Sequence, residues 1–205
     1  MKIALILLAY LLGSIPTSVW LGRVFFSTDV RDYGSGNAGA TNTMRVLGTK
    51  PGVIVLLLDA LKGFAAVNLV FLTARYAGDI ETMVLLGLVA VVGHIFPVFA
   101  GFRGGKGIAT LLGMMIAIHA GAALMAMATF LLFFLSFRIV SLSSMLASIS
   151  FPIWLIFRYH ETSKTLVIFS FALVFLVLLT HQKNLERLLN GEESKIRLRK
   201  ANNDD

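Results

Sequence analysis

The chain has 205 residues, room for one domain, and 57% of them are hydrophobic while 14% carry charge. That balance does not suit a soluble domain and points to a polytopic membrane protein. The formal charge of +7 falls mostly in loops between apolar runs, with no basic face of interleaved aromatics, which weighs against nucleic acid; the lack of cysteine excludes disulfides, thiolate catalysis and Cys-based metal sites.

The first apolar run, about 3–26, contains Gly13, Ser14 and Pro16 and is expected to span with a kink at Pro16. With Lys2 as its sole basic leader and no clear cleavage site, it reads as a retained membrane helix. A polar stretch follows from Gly34 to Arg45. Its glycines allow a tight, positive-φ course on which several N–H groups can converge on one anion. Around them stand Ser35, Thr41, Thr43, Asn37, Asn42 and Arg45, a donor set suited to phosphate. A flexible glycine linker between helices is the plainer alternative.

A second run, about 51–74, starts at Pro51, a residue suited to the first turn of a helix, and carries Asp59 and Lys62 on one helical face. Charges inside a bilayer pair or face the protein interior, so these two either hold the bundle together or support the site from beneath. The third run, about 80–100, ends with Gly93, His94 and Pro97 and enters a second glycine loop, Gly101-Phe102-Arg103-Gly104-Gly105-Lys106-Gly107. This is no Walker A motif, because Gly107 follows Lys106 and no strand precedes it. Bare backbone amides, two cations and a helix starting at about Ile108 still favour an anion there.

The stretch 108–137 is nearly all apolar. As one helix it would measure about 45 Å, too long for a hydrocarbon core of about 30 Å without strong tilt; divided at His119-Ala120-Gly121 it gives two helices, each short for a span, so the chain has six crossings with the stretch counted once and seven with it counted twice. The two short helices need not both span fully if neighbours shield them. Runs at about 142–157 and 166–180 follow, then a third polar cluster of His181, Asn184, Arg187, Gly191 and Glu193. His181, Asn184 and Arg187 recur along one helical face, although a plain interfacial histidine is the alternative. His119 and His160 fall on the opposite side and read as structural, His94 neighbours the second loop, and no histidine or carboxylate spacing marks a metal site.

Charge placement sets the number of crossings. Arg31, Arg45 and Lys50 flank the first cluster, Arg103 and Lys106 lie in the second, and Lys183, Arg187, Lys195, Arg197, Arg199 and Lys200 follow the last run. The other connections are poorer, with Arg75 beside Asp79 and Glu81, and Arg158 and Lys164 around Glu161. All three clusters share the cytoplasmic side only if the crossings are odd. The expected fold is therefore all-α, about seven transmembrane helices with the N-terminus outside and the C-terminus cytoplasmic. Residues 1–205 form one membrane-embedded domain, of which 190–205 is a polar cytoplasmic tail.

The three clusters resemble the signature motifs of the PlsY family, the bacterial acyl-phosphate:glycerol-3-phosphate acyltransferases. The first matches as Gly34-Ser35-Gly36-Asn37 through Gly39, Thr41-Asn42 and Arg45; the second as Gly93-His94, Phe96-Pro97, Phe99 and Arg103 to Thr110. The third matches as His181, Asn184, Arg187-Leu188, Gly191 and Glu193, and the likeness covers nearly the whole chain. Arg103 stands where lysine is usual, Leu185 where isoleucine is, and Thr180 where arginine is. Arg103 keeps its charge but presents a planar fork, and Thr180 leaves the position beside His181 less basic.

The resemblance implies transfer of a fatty acyl group from acyl phosphate to the 1-hydroxyl of glycerol 3-phosphate, giving lysophosphatidate and phosphate without a cofactor. The implied setting is the lipid of the bacterial inner membrane, with the site facing the cytoplasm. Carried onto this sequence, the catalytic candidates are Ser35 and His181. The substrate-binding candidates are Gly34, Gly36, Asn37, Gly39, Thr41, Asn42, Arg45, Arg103, Gly104, Gly105, Lys106, Gly107, Asn184, Arg187 and Glu193. No histidine is followed four residues later by aspartate, the signature of soluble-type glycerolipid acyltransferases, as suits a donor that is already an activated anhydride. Ser35 could form an acyl intermediate or only bind and stabilise; without a strand–turn–helix elbow, direct transfer is the expectation. The alternative function is a small transporter of a phosphorylated metabolite, against which stand the lack of an internal repeat and an almost wholly apolar outer half.

Overall fold

In hydrocarbon a chain must satisfy its own backbone polar groups, so each apolar run becomes a helix. The computed structural model describes residues 1–196 and holds no strand among them; the tail cations Arg197, Arg199 and Lys200 lie outside the described residues. In chain order the helices are α1 (Lys2–Gly13), α2 (Thr17–Phe26), α3 (Ala40–Leu47), α4 (Thr49–Asn68), α5 (Ile80–Ile95), α6 (Ile108–Phe137), α7 (Val140–Ile153), α8 (Lys164–Thr180) and α9 (Gln182–Leu189). Short 3₁₀ turns lie at Val30–Asp32, Leu69–Leu72 and Val98–Ala100, and a π-helical turn, Trp154–Arg158, extends α7. Four segments are each long and apolar enough to cross a membrane: Thr49–Leu72, Ile80–Ala100, Ile108–Phe137 and Val140–Arg158. The pairs α1 with α2 and α8 with α9 qualify as bent spans, turning by 42° at Pro16 and 65° at His181.

Helix crossings rest on small residues, as expected where lipid removes the hydrophobic drive between helices. A Cβ on Gly13 would run into the Ala90 carbonyl, so α1 meets α5 backbone to backbone. Gly63 and Gly113 do the same between α4 and α6, against the carbonyls of Thr110 and Ala60. Leu86, Leu111, Met114, Phe151, Leu155 and Leu173 fill the interior. Leu57, Leu61, Leu132, Leu135, Phe171 and Phe175 stay exposed, an outer surface suited to lipid rather than water.

The long apolar stretch breaks at His119, where φ −149° and ψ 79° leave the helical region. Its arms, 108–118 and 120–137, measure about 16 and 27 Å. His119 Nδ1 accepts the Ala122 N–H at 3.1 Å, capping the second arm, and the Tyr159 ring packs edge-on against the imidazole. Beyond α6, the Arg138 carbonyl accepts the Ile196 N–H at 2.9 Å, tying the end of the second arm to the C-terminal segment.

One element differs from the sequence reading. The polar stretch ending at Arg45 is not all loop, because Ala40–Leu47 forms α3, bounded by Gly39 and by Gly48 at φ 100°. Asn42 and Thr43 face inward from it, and Arg45 faces out.

Candidate active site

The first glycine loop is built by side chains on either side of it. Asp29 accepts the Arg31 N–H at 3.0 Å and pairs with the Arg31 guanidinium at 2.8 Å. Arg31 then donates to the carbonyls of Ala100 and Arg103, at 2.7 and 3.2 Å, and so ties the first loop to the second. Its hydrogen bond holds the Asp29 carboxyl far below the usual carboxylate range. Gly34 and Gly36, at φ 63° and 69°, turn the chain between them.

Asn42 was expected to bind substrate, but the structure spends it on the loop itself. Its Oδ1 accepts the Ser35 N–H at 2.8 Å, and Nδ2 donates to the carbonyls of Val30 and Tyr33 at 2.7 and 3.1 Å. Both donor hydrogens are used inside the protein and the residue is buried, so it shapes the loop. Among the described residues the exposed Ser35 hydroxyl has no hydrogen-bond partner.

The second loop also departs from expectation. Its amides are not all bare: Gly104 N–H donates to the Ile95 carbonyl at 3.1 Å and Gly105 N–H to that of His94 at 3.2 Å. These bonds satisfy the C-terminus of α5. The amides left for an anion begin at Lys106 and Gly107 and continue into the first turn of α6. Arg103 is exposed at the edge of the loop, and it is its carbonyl that takes part in the framework.

The third cluster forms where α8 bends into α9. His181 is buried there, with Nδ1 at 2.8 Å from the Val177 carbonyl. A carbonyl only accepts, so Nδ1 carries the proton and Nε2 keeps a lone pair. Burial, helped by Lys106, pushes its pKa down to about 4. The ring is therefore neutral at physiological pH. One helical turn on, Asn184 Oδ1 accepts from the Lys106 ammonium, and Asn184 Nδ2 donates to Glu193 at 2.6 Å. Gly191, at φ 73°, turns the chain back so that Glu193 enters the cluster. Its carboxylate also accepts from Arg187 Nε at 2.7 Å and from Ser141 Oγ at 2.7 Å. Burial alone would raise the Glu193 pKa, but the bonds from Arg187, Ser141 and Asn184 hold it below the usual range. Arg45 reaches the same segment through Ser194 Oγ at 2.8 Å.

Arg45, Lys106, His181, Asn184, Arg187 and Glu193 thus come together from three distant parts of the chain. Arg31 and Ser141 are framework residues that motif reading passed over. Their sequence signals were an Asp-x-Arg pair just before the glycine loop and a serine-rich run, Ser141-Leu142-Ser143-Ser144, at the start of an apolar segment.

A helical membrane protein that gathers three cations, a neutral histidine and free helix-terminal amides at one end of its bundle belongs to the class of integral membrane proteins that handle phosphorylated molecules. The family model described as glycerol-3-phosphate acyltransferase matches residues 3–191. A glycerol-3-phosphate acyltransferase of Chlorobium chlorochromatii is 39% identical over 95% of this chain and 96% of its own. Glycerol-3-phosphate acyltransferase 2 of Bacillus anthracis is 42% identical, covering 96% of this chain and all of that one. The crystal structure of PlsY, an integral membrane glycerol 3-phosphate acyltransferase in its glycerol 3-phosphate form, superposes with a TM-score of 0.87 at 37% identity, over 96% of both chains. Its lysophosphatidic acid form superposes at 0.83 with 36% identity, over 96% of this chain and 95% of that one. The chain belongs to the glycerol-3-phosphate acyltransferase family. It is an acyltransferase, and the transporter alternative falls.

Proposed function

We propose that the protein acylates the 1-hydroxyl of glycerol 3-phosphate with acyl phosphate as donor, at the cytoplasmic face of the bacterial inner membrane. The observation that carries this is the charge of the site: among the described residues, Arg45, Lys106 and Arg187 gather around one carboxylate, Glu193. Two positive charges are left over, a match for dianionic phosphate. Ser35 and the loop amides then bind phosphate or the developing oxyanion.

Transfer is direct. The hydroxyl oxygen of glycerol 3-phosphate attacks the acyl carbonyl carbon, and the bond from that carbon to the bridging oxygen breaks. The bridging oxygen leaves with the electron pair as part of phosphate. The hydroxyl proton passes to a base. His181 Nε2 has a free lone pair but a pKa of only about 4. A substrate phosphate oxygen, with a second pKa of about 6, is the stronger acceptor, and His181 serves as the group that orients the hydroxyl.

The orientation we assign is seven crossings within a single domain, residues 1–205, N-terminus outside. Lys106, just before α6, and Ser141, in the first turn of α7, both join the Asn184–Glu193 cluster. The chain between them begins and ends at one face, so it crosses out and back with its turn at His119. Purified protein given acyl phosphate and glycerol 3-phosphate should form lysophosphatidate, and acyl-CoA in place of acyl phosphate should form none. Equal turnover of acyl-CoA would remove the donor assignment.

A further inference from the structure

Below the glycine loops lies a buried polar cluster that the chemistry above does not use. Asp59, with 1% of its side chain exposed, receives the Lys62 ammonium at 2.9 Å and the Thr17 hydroxyl at 2.6 Å. Lys62 also donates to the Ile15 carbonyl at 2.8 Å, at the break between α1 and α2. His94, in the last turn of α5 and 5% exposed, turns Nδ1 toward the same Asp59 oxygen at 3.6 Å, and that nitrogen has no other partner among the described residues. The far side of the ring meets the loops. A Cβ on Gly105 would strike His94 Nε2 and would lie 2.9 Å from the Ala38 carbonyl of the first loop. The two glycine loops therefore close on each other over one imidazole. A small cavity between Pro16, Ala38, Asp59, Lys62, His94 and Gly104 marks the same seam.

We propose that Asp59 and His94 are a positioning pair that sets the spacing of the two phosphate loops. An ion pair that only braced the bundle would not need a histidine packed against Gly105 where the second loop meets Ala38 of the first. Asp59, itself fixed by Lys62 and Thr17, holds the imidazole with Nδ1–H directed at the carboxylate. The ring then acts as a rigid spacer, with Gly105 against its Nε2 edge and the Ala38 carbonyl beside Gly105. Glycine is needed at position 105 because any side chain would occupy the place of the ring. The pair touches no reacting atom; it acts through the loop that carries Lys106 and the loop that carries Ser35.

This inference rests on the acyl-transfer reading, and its test separates the two. His94→Asn keeps a donor where Nδ1 stands and loses the spacer, while His94→Gln reaches the Nε2 position and loses the contact with Asp59. Initial rates with acyl phosphate and glycerol 3-phosphate are measured beside thermal unfolding of the same detergent-purified samples. Both variants should fold and lose at least tenfold in kcat/KM, with KM raised for both phosphate substrates, because both loops shift. Asp59→Asn should lose a comparable factor, and the double variant Asp59→Asn with His94→Gln should be no slower than His94→Gln alone. If Asp59→Asn does not fold, Asp59→Leu with Lys62→Met replaces the ion pair by apolar groups and takes its place. Wild-type kinetics in either His94 variant, or losses that multiply in the double variant, would overturn the pair. No transfer by the wild-type enzyme would instead remove the acyl-transfer reading.

Discussion

At Lys106, burial lowers the ammonium pKa to about 8; Glu193 pulls it up, and Arg187 and Arg45 push it further down. Below that pH the site carries all three cations, and above it Lys106 progressively loses the charge on which its proposed phosphate contact depends. The apparent KM for glycerol 3-phosphate should therefore climb as pH rises past about 8. Lys106→Arg, whose guanidinium stays charged, should flatten that rise even if its overall rate is lower. A KM–pH profile on both proteins checks the sign. Alanine at Arg45, Lys106 or Arg187 should each cost about 1.5–3 kcal/mol, or about ten- to a hundredfold in kcat/KM, as expected for one charge-assisted contact. Wild-type kinetics in all three would mean that the shared site does not exist. Ser35 has a different signature. Its hydroxyl is exposed and unshared among the described residues, and no base is bonded to it. Ser35→Ala should slow turnover by about 10²–10³ as a lost oxyanion or phosphate donor. No acyl group should appear on the wild-type chain after mixing with acyl phosphate alone. Intact-protein mass spectrometry reads this, and a stoichiometric acyl-serine would replace direct transfer by a two-step route.

Among the elements, those legible in the sequence were the ones written in local pattern. Length made the stretch 108–137 suspect, since about 45 Å fits a core of about 30 Å only with strong tilt, and charge placement favoured the break that His119 shows. The three clusters were legible because glycines, hydroxyls, carboxamides and cations stand together there, between long apolar runs. Hidden from view were features decided by partners far along the chain. Asn42 looks like any polar loop residue until Val30, Tyr33 and Ser35 close around it. The Gly104 and Gly105 amides looked bare because nothing local says that the last carbonyls of α5 will take them. Helix α3 was missed because the glycines before it read as loop while its inward face is polar, Asn42 and Thr43, rather than apolar. The crossing of α4 and α6 was likewise unwritten, yet it fixes the base of the second loop. Gly113 sits where any Cβ would enter the Ala60 carbonyl, a backbone atom that cannot rotate away. Gly113→Val should lower stability by more than the about 1–3 kcal/mol usual for overpacking and reduce folded yield. Thermal unfolding in detergent measures it, and an unchanged midpoint would contradict the close crossing.

For the whole molecule, the arrangement of charge and the arrangement of contacts are separate supports for the proposed orientation. Arg31, Arg45, Arg103, Lys106, Lys183 and Arg187 flank or form the three clusters, and positive charge near span ends marks the cytoplasmic side. Contacts make the same grouping without reference to a membrane: Arg31 reaches Ala100 and Arg103, Arg45 reaches Ser194, and Lys106 reaches Asn184. The opposite end has its own grouping, with Lys2 over the Tyr76 ring and His119 against Tyr159 and Glu161. In the orientation proposed above, the chain between these two ends makes seven passages, α1 with α2, then α4, α5, the two arms of α6, α7 and α8. Single cysteines can be placed freely because the chain has none of its own. Cysteines at Arg103, Lys183 and Asn202, the last outside the described residues, should react with an impermeant maleimide only after the cytoplasmic face is opened. Cysteines at Ala77 and His160 should react from outside in intact cells. Labelling of Arg103 and Lys183 from opposite sides would require an odd number of crossings between loops two and three, where this orientation has four. It would also divide Lys106 from Asn184 and dissolve the shared phosphate site.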